Sequence, residues 1–277
     1  MDAVSALPVA ISGRSAIEVA RQCAREAGAI ALERFRQPQE ITVKGRGNLL
    51  SATDLELETY LTHALLAEFP GHKVLSEETA NDTDTAGWVW VVDPLDGTRN
   101  FVSGIPFFCV NVALCLDGEP AVAVTYDPNH DEAFWAERGR GAWVNDRPAR
   151  ASEAASVQQS VLGIDIGYDD RRGKSMLQIA HLIFPGVQSI RIPGSAALGL
   201  AYAACGRYDL FVHQYLFPWD IAAGILLVRE AGGAITDHAG APIAIDRLTV
   251  IAGSAGAHAD FLRWQRQHAG QLDLPAS

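Results

Sequence analysis

Apolar residues recur along this chain with two different periods. Ile17, Ala20, Ala24, Ala27, Ala31 and Phe35 fall at helical spacing behind Ser15 and Glu18, a Ser-x-x-Glu capping box. Leu57, Leu61, Leu65 and Phe69 repeat the pattern, and Thr53-x-x-Glu56 predicts where that second helix opens. Between the two, "TVKGRGNLLSATD" predicts a mobile, Gly-bearing loop that leaves Asp54 at the amino end of the second helix, where a carboxylate suits the helix dipole.

From Trp88 the period changes. "WVWVV" is a short continuous run of aromatic and β-branched residues, the signature of a buried strand. "FFCVNVALCL" and "AVAVTYDP" flank "DGEP" and predict an antiparallel hairpin, which "EAFWAE" and "GAWVND" extend. The polar, Ala/Ser-rich stretch "RPARASEAASVQQS" suggests a boundary near residue 150, giving an N-terminal α+β half over 1–150 and a C-terminal α/β half over 151–277. The second half alternates: a strand at 160–165, a helix at 173–183, "QSIRIPG", a helix from Ser195, "YDLFVHQ", a helix from Trp219 and "TVIAGS" before a last helix. That alternation predicts an α/β chain with a mixed sheet packed between helices.

Composition narrows the partners. The 277 residues carry a formal net charge of −11, against a footprint for nucleic acid or an anionic membrane, both of which reward clustered Lys and Arg. Phosphorylated small molecules stay open, because bound cations reverse the sign of a pocket locally. Cys23, Cys109, Cys115 and Cys205 lie among apolar neighbours with no CxxC spacing, which fits buried free thiols in a reducing, cytoplasmic setting. The opening "MDAVSALPVAISGRSAIEV" has no basic segment before its apolar patch, so no signal peptide is expected. Trp135, Trp143 and Trp264 read as core or edge packing, and "ERGRGAWVNDRPAR" as a solvated face.

Several acids sit where strands and helices begin or end. Asp93 and Asp96 follow the apolar run, with Pro94 stopping a central strand and Gly97 permitting a tight turn. Glu77 and Glu78 follow another apolar stretch in "VLSEETA", and Asp220 opens the apolar helix of "PWDIAAGILLVREAGG"; taken alone, Asp220 reads more readily as a simple cap and Glu77 as a solvated loop acid.

Taken together, "SEE" at 76–78, "DPLDGTRNF" at 93–101, "GSAAL" at 194–198 and "PWDIAAG" to "EAGG" at 218–233 resemble the inositol monophosphatase family of lithium-sensitive, magnesium-dependent phosphatases, in the expected order over nearly the whole chain. The resemblance implies a layered αβαβα fold of the inositol monophosphatase and fructose-1,6-bisphosphatase type. It implies a cytoplasmic, homodimeric phosphoric monoester hydrolase using two or three Mg²⁺ ions per site. By position, Glu77, Asp93, Asp96, Asp220 and the Leu95 carbonyl become metal ligands, and Glu78 is left out of that set. Thr98 and Asp54, with Glu77, become the catalytic group that activates water. Gly97 and Thr98 start a short helix whose N–H groups would meet phosphate. An all-oxygen donor set selects a hard ion over zinc.

Ser195 and Ala196 match the sugar side of the pocket. His213 stands seven residues before Asp220, where inositol-specific members carry a glutamate that binds ring hydroxyls. An imidazole offers one acceptor and one donor there, or is a histidine tolerated on a strand near the surface. The expected substrate is inositol monophosphate or a similar polyol or sugar phosphate. Alternatives are fructose 1,6-bisphosphate, histidinol phosphate or a 3′-phosphonucleotide, and, from another class, a non-catalytic binding protein on the same fold.

Overall fold

The computed structural model describes residues 6–45, 48–78 and 84–272, so the first residues of the opening stretch, the centre of the expected loop at 46–47 and the end of "VLSEETA" at 79–80 lie outside the described residues. Helix α1 (Ala16–Arg34) starts at the expected cap: Glu18 N donates to Ser15 Oγ, and Ser15 N donates back to the Glu18 carboxylate at 2.8 Å. On either side of residues 46–47 the chain forms strands β1 (Ile41–Val43) and β2 (Leu49–Ser51), an antiparallel pair where a loop is expected.

Helix α2 (Ala52–Glu68) begins earlier than Thr53-x-x-Glu56 predicts. Ser51 is its cap and Asp54 closes the box, with Ser51 N donating to the Asp54 carboxylate at 2.8 Å. Glu56 is drawn away into a two-pronged ion pair with Arg34, at 2.8 and 2.9 Å, so the competing box never forms.

Strands β3 (Lys73–Ser76), β4 (Trp88–Asp96), β5 (Cys109–Leu116), β6 (Glu119–Asp127), β7 (Glu132–Glu137), β8 (Ala142–Val144) and β9 (Arg147–Ala149) lie side by side in chain order as one seven-stranded sheet. Only β3 and β4 pair in parallel; the short helix α3 (Thr98–Val102) fills the β4–β5 connection. The second half supplies β10 (Val161–Ile164), α4 (Asp170–Ile183), β11 (Ser189–Arg191), α5 (Ala196–Ala204), β12 (Leu210–His213), α6 (Pro218–Glu230), β13 (Ala234–Thr236), β14 (Val250–Gly253) and α7 (Ala255–Gln267). Its five strands run in the order β11-β10-β12-β14-β13; β13 is one that the apolar pattern does not announce.

Side-chain alternation shows how the layers stack. Trp90 and Val92 of β4 pack with the apolar stripes of α1 and α2, while Val89 and Val91 point the other way, into a core shared with α5 and α6. On β12, Phe211 joins that same central core, and Leu210 and Val212 pack with Met176 and Ile179 of α4 and Phe261 of α7. Five layers result: helices, sheet, helices, sheet, helices. Among the described residues no helix is long and apolar enough to cross a membrane, and all four cysteines are free.

Two details of β4 and the central layer position the site. The pairing of β4 with β5 slips between Asp93, opposite Asn111, and Asp96, opposite Cys109, so three steps on β4 match two on β5. This bulge falls where Pro94 has no N–H to give. In the central layer α5 and α6 approach closely: a Cβ on Gly224 would lie 2.5 Å from Leu200 Cδ1 and 2.7 Å from its Cβ. Gly224→Val should therefore lower stability by about 1–3 kcal/mol through overpacking, read as an earlier urea midpoint. An unmoved midpoint would show that the two helices can separate at no cost.

Candidate active site

The bulge has a direct consequence. Residues 93 and 96 differ by an odd number and would face opposite sides of a regular strand; the extra residue puts both carboxylates on the central-layer side. There they meet Asp220 from the first turn of α6, and one oxygen from each of the three lies within 4.8 Å of the others.

Each carboxylate is held by backbone. Asp93 accepts from Leu95 N at 3.1 Å. Asp96 accepts from the Ser195 hydroxyl, from Ala197 N at 2.8 Å and from Ala196 N at 3.4 Å, so it sits on the amino end of α5. Asp220 accepts from Phe217 N at 2.7 Å, which makes it a cap as well as a member of the cluster. The N–H groups and dipoles of two helices thus face this negative charge.

The cluster is nonetheless short of positive charge. Burial, then the charges of Glu77, Asp96 and Asp220, holds the Asp93 carboxyl well above the usual range, and burial with Asp96 and Glu77 does the same to Asp220. Glu77 is pushed up to about 8 by burial and the adjacent Glu78. Lys44, beyond β1, pairs with Glu78 and lies 3.8 Å from Glu77. Converging carboxylates with a peptide carbonyl at hand, Leu95 O, are the donors a hard divalent cation takes, so the residues fit magnesium.

Thr98 lies beside the cluster, its hydroxyl 2.9 Å from Asp54 Oδ1 and 3.0 Å from Leu95 O. Asp54 Oδ2 is occupied by Ser51 Oγ at 2.5 Å and Ser51 N at 2.8 Å. Gly97 is the left-handed residue that starts α3, at φ 95°, and its α-carbon is so close to the 107–108 backbone that a Cβ would meet Phe107 O at 3.0 Å.

One cleft joins these groups: Glu77, Asp93, Leu95, Asp96, Gly97, Thr98, Ala196, His213 and Asp220 all line it. Asp54 lies behind Thr98. Ser195 does not line the cleft; it is buried, caps α5 and gives its hydroxyl hydrogen to Asp96, so it holds a carboxylate in place. His213 is 4% exposed, which removes the surface alternative. Its Nδ1 accepts from Tyr215 N at 3.0 Å and burial pushes its pKa down to about 3, so the ring is neutral with its hydrogen on Nε2.

The sequence reading missed residues that shape this cleft. Asn100 Nδ2 donates to Phe107 O at 2.8 Å, Pro193 O at 2.9 Å and Gly194 O at 3.2 Å, while Asp165 accepts from Gly194 N at 2.7 Å. The Gly194 peptide, one residue before Ser195, is thereby gripped by α3 on one side and by the end of β10 on the other. Asp165 follows "SVLGI" as Asp93 follows "WVWVV", so the same rule, an acid at the end of an apolar strand, applies to it. Tyr168 and Tyr215 carried no such signal.

Proteins of known family share this fold and sequence pattern. The inositol monophosphatase family profile matches residues 13–271, and the chain belongs to that family, whose members are phosphatases of phosphate monoesters. It is 36% identical over 257 residues to inositol monophosphatase 3 of Solanum lycopersicum, covering 89% of this chain and 95% of that protein. Nus factor SuhB of Salmonella typhimurium is 35% identical over 242 residues, covering 86% and 91%. The crystal structure of the extragenic suppressor protein suhB from Bartonella henselae superposes with a TM-score of 0.82 at 36% identity, covering 89% of this chain and 96% of that one.

His213 sets an acid limb for stability. Its folded pKa is depressed, so between about 6.5 and 3 the unfolded chain takes up a proton that the folded one refuses, and stability falls as pH drops. Between pH 7.5 and 5 this one residue accounts for about 2 kcal/mol of loss. His213→Gln should flatten that part of the stability-against-pH curve in urea titrations; a curve of unchanged slope would mean that the imidazole charges inside the folded protein.

Proposed function

We propose that this chain is a magnesium-dependent phosphomonoesterase that hydrolyses a small phosphate ester, of the inositol monophosphate or polyol phosphate class, with water as the attacking group. The observation that carries this reading is the convergence of Asp93, Asp96 and Asp220 on one point beside the Thr98–Asp54 pair. Glu77, Asp93, Asp96, Asp220 and the Leu95 carbonyl would hold the ions. When bound, magnesium supplies the counter-charge that lets a phosphate dianion enter and lowers the cost of activating water.

The remaining work falls to the protein. Thr98 Oγ accepts a hydrogen bond from the water while donating its own hydrogen to Asp54 Oδ1, so the water's lone pair is aimed at phosphorus. Asp54 keeps its second oxygen tied to Ser51 and thus holds Thr98 in one rotamer. Glu77, whose carboxyl sits well above its usual range in the unloaded site, ionises as counter-charge arrives. Gly97 and Thr98 offer backbone N–H groups at the start of α3, and Ala196 leaves space on the alcohol side. Lithium sensitivity, a cytoplasmic location and a homodimer belong to this reading by family resemblance.

His213 favours a second reading within the same chemistry. A neutral ring with its hydrogen on Nε2 donates where a glutamate would accept from two hydroxyls, which suits an ester such as histidinol phosphate, a 3′-phosphonucleotide or fructose 1,6-bisphosphate.

Phosphate release from these esters and inositol 1-phosphate, with Mg²⁺ and with EDTA, tests the proposal. Activity should require Mg²⁺ and fall at least about 100-fold in Asp96→Asn. Thr98→Ala should lower kcat by about 10²-fold with little change in KM, as expected for a group that acts on the water rather than the ester. Folded protein that binds Mg²⁺ yet releases no phosphate from any ester would favour the non-catalytic alternative.

A further inference from the structure

The titratable lining of the cleft is almost wholly acidic. Glu77, Asp93, Asp96, Asp165 and Asp220 line it, and the buried His213 ring is neutral. Among the described residues a single cationic side chain lines it with them, Arg99 of α3. Lys44 stands at the Glu77 end but is paired with Glu78, and Arg172 of α4 gives its guanidinium to Gln214 O at 2.7 Å.

Arg99 is held differently. It is exposed, and among the described residues its side chain enters no ion pair and donates no hydrogen bond; its guanidinium carbon lies 6.0 Å from the centroid of the Tyr168 ring. That ring lies beside the acids, whose charges, after burial, push its phenol pKa up. Opposite charges in one cleft attract, so a guanidinium that pairs with none of five carboxylates is held off them by its mount. Its neighbours in sequence supply that mount. Thr98 and Asn100 are both buried, Thr98 bonded to Asp54 at 2.9 Å and Asn100 to Phe107 O and Pro193 O at 2.8 and 2.9 Å.

The mount separates the charges by depth. Asp93 and Asp96 are buried, whereas Arg99, three residues on from Asp96, is exposed at the rim of the same cleft. A tetrahedral dianion drawn to cations on the carboxylates turns some of its oxygens toward them and at least one away, toward the rim. Without counter-charge that outer oxygen meets only acids and water. A guanidinium fork offers it N–H donors and a charge that does not titrate away.

We propose that Arg99 is a catalytic residue: its guanidinium binds the phosphoryl group from the rim of the cleft, on the side away from the carboxylates, with the Tyr168 ring as its rest. This rests on the phosphomonoesterase reading above and adds a residue to its machinery. The charge on the outer phosphoryl oxygen is present in the ester, the transition state and the released phosphate alike. Losing Arg99 therefore weakens the hold on all three, unlike losing Thr98, which acts on the water.

The test compares the unaltered protein with Arg99→Gln, Arg99→Lys and Tyr168→Leu. Kinetics with Mg²⁺ use inositol 1-phosphate, 2-phenylethyl phosphate and fructose 1,6-bisphosphate; calorimetry reads Mg²⁺ binding alone and inorganic phosphate binding in the presence of Mg²⁺. Arg99→Gln should lower kcat/KM for every ester by about tenfold or more, with KM rising, and weaken phosphate binding by a similar factor. Its Mg²⁺ affinity should be equal or tighter, because a cation beside the acids has been removed. Arg99→Lys should recover part of the loss, keeping the charge without the fork. Tyr168→Leu should lose about threefold in the same direction, and nothing further when combined with Arg99→Gln. Unchanged kcat/KM and phosphate binding in Arg99→Gln would overturn the inference and leave the phosphatase reading intact. A loss confined to fructose 1,6-bisphosphate would also overturn it, by placing the guanidinium on the alcohol half of the substrate. Weakened Mg²⁺ binding in Arg99→Gln would overturn it in favour of a structural role. No hydrolysis of any ester by unaltered protein that binds Mg²⁺ would overturn the phosphatase reading and this inference with it.

Discussion

The structure turns on one residue too many in β4. Strand geometry alternates side chains strictly, and no regular strand presents positions 93 and 96 on one face. The slip against β5, set where Pro94 withdraws from the hydrogen-bond ladder, converts an apolar strand into a mount for two parallel carboxylates. Everything around the cleft answers that arrangement. Two helices point their amino ends at it, a threonine hydroxyl sits beside it, and the turn at 193–195 is fastened to α3 and to the end of β10.

That fastening explains why so many polar groups are buried together. Asn100 and Asp165 hold one peptide from opposite sides, and the peptide holds Ser195, which holds Asp96. On the other flank Asn111 of β5 donates to Trp219 O at 2.6 Å and accepts from Thr125 at 2.7 Å, tying the first turn of α6, and so Asp220, to the middle of the large sheet. Each carboxylate is thus located by hydrogen bonds from the chain itself, while burial raises the pKa of each and the neighbouring acids add to it at Asp93 and Asp220. The site is arranged by the fold before any cation is considered, and its acids are the donors a hard cation takes.

How much of this the sequence discloses depends on how local the cause is. Ser15 and Glu18 decide their cap between themselves, and the run 88–92 needs no distant partner to read as a strand. Asp93, Asp96 and Asp220 show up as acids at the ends of apolar elements, a local contradiction visible without coordinates. The start of α2 is not local in this sense: Glu56 pairs with Arg34 of α1, and Ser51 with Asp54 forms the cap instead. Ser195 reads as a pocket residue from its motif, whereas the fold sets its hydroxyl against Asp96. Ser195 and Ala196 are neighbours in sequence, yet only Ala196 reaches the cleft, a difference set by the turn that Asn100 and Asp165 hold. Tyr168 and Tyr215 are unreadable as cleft residues for the same reason: they stand far apart in the chain, and only the fold brings both to the cleft.

The division of the cluster between distant parts of the chain also orders events during synthesis. Asp93 and Asp96 emerge from the ribosome with the large sheet, over a hundred residues ahead of Asp220. The face of that sheet which later receives α6 stays uncovered meanwhile, and a pair of carboxylates with neither α5 nor α6 in place has no helix ends to steady it. An ion therefore cannot template this fold from its first half, as it does in small metal-nucleated domains. A cation at this cluster would have to be captured last, and a nascent chain stalled before residue 220 leaves a broad apolar surface for chaperones to shield.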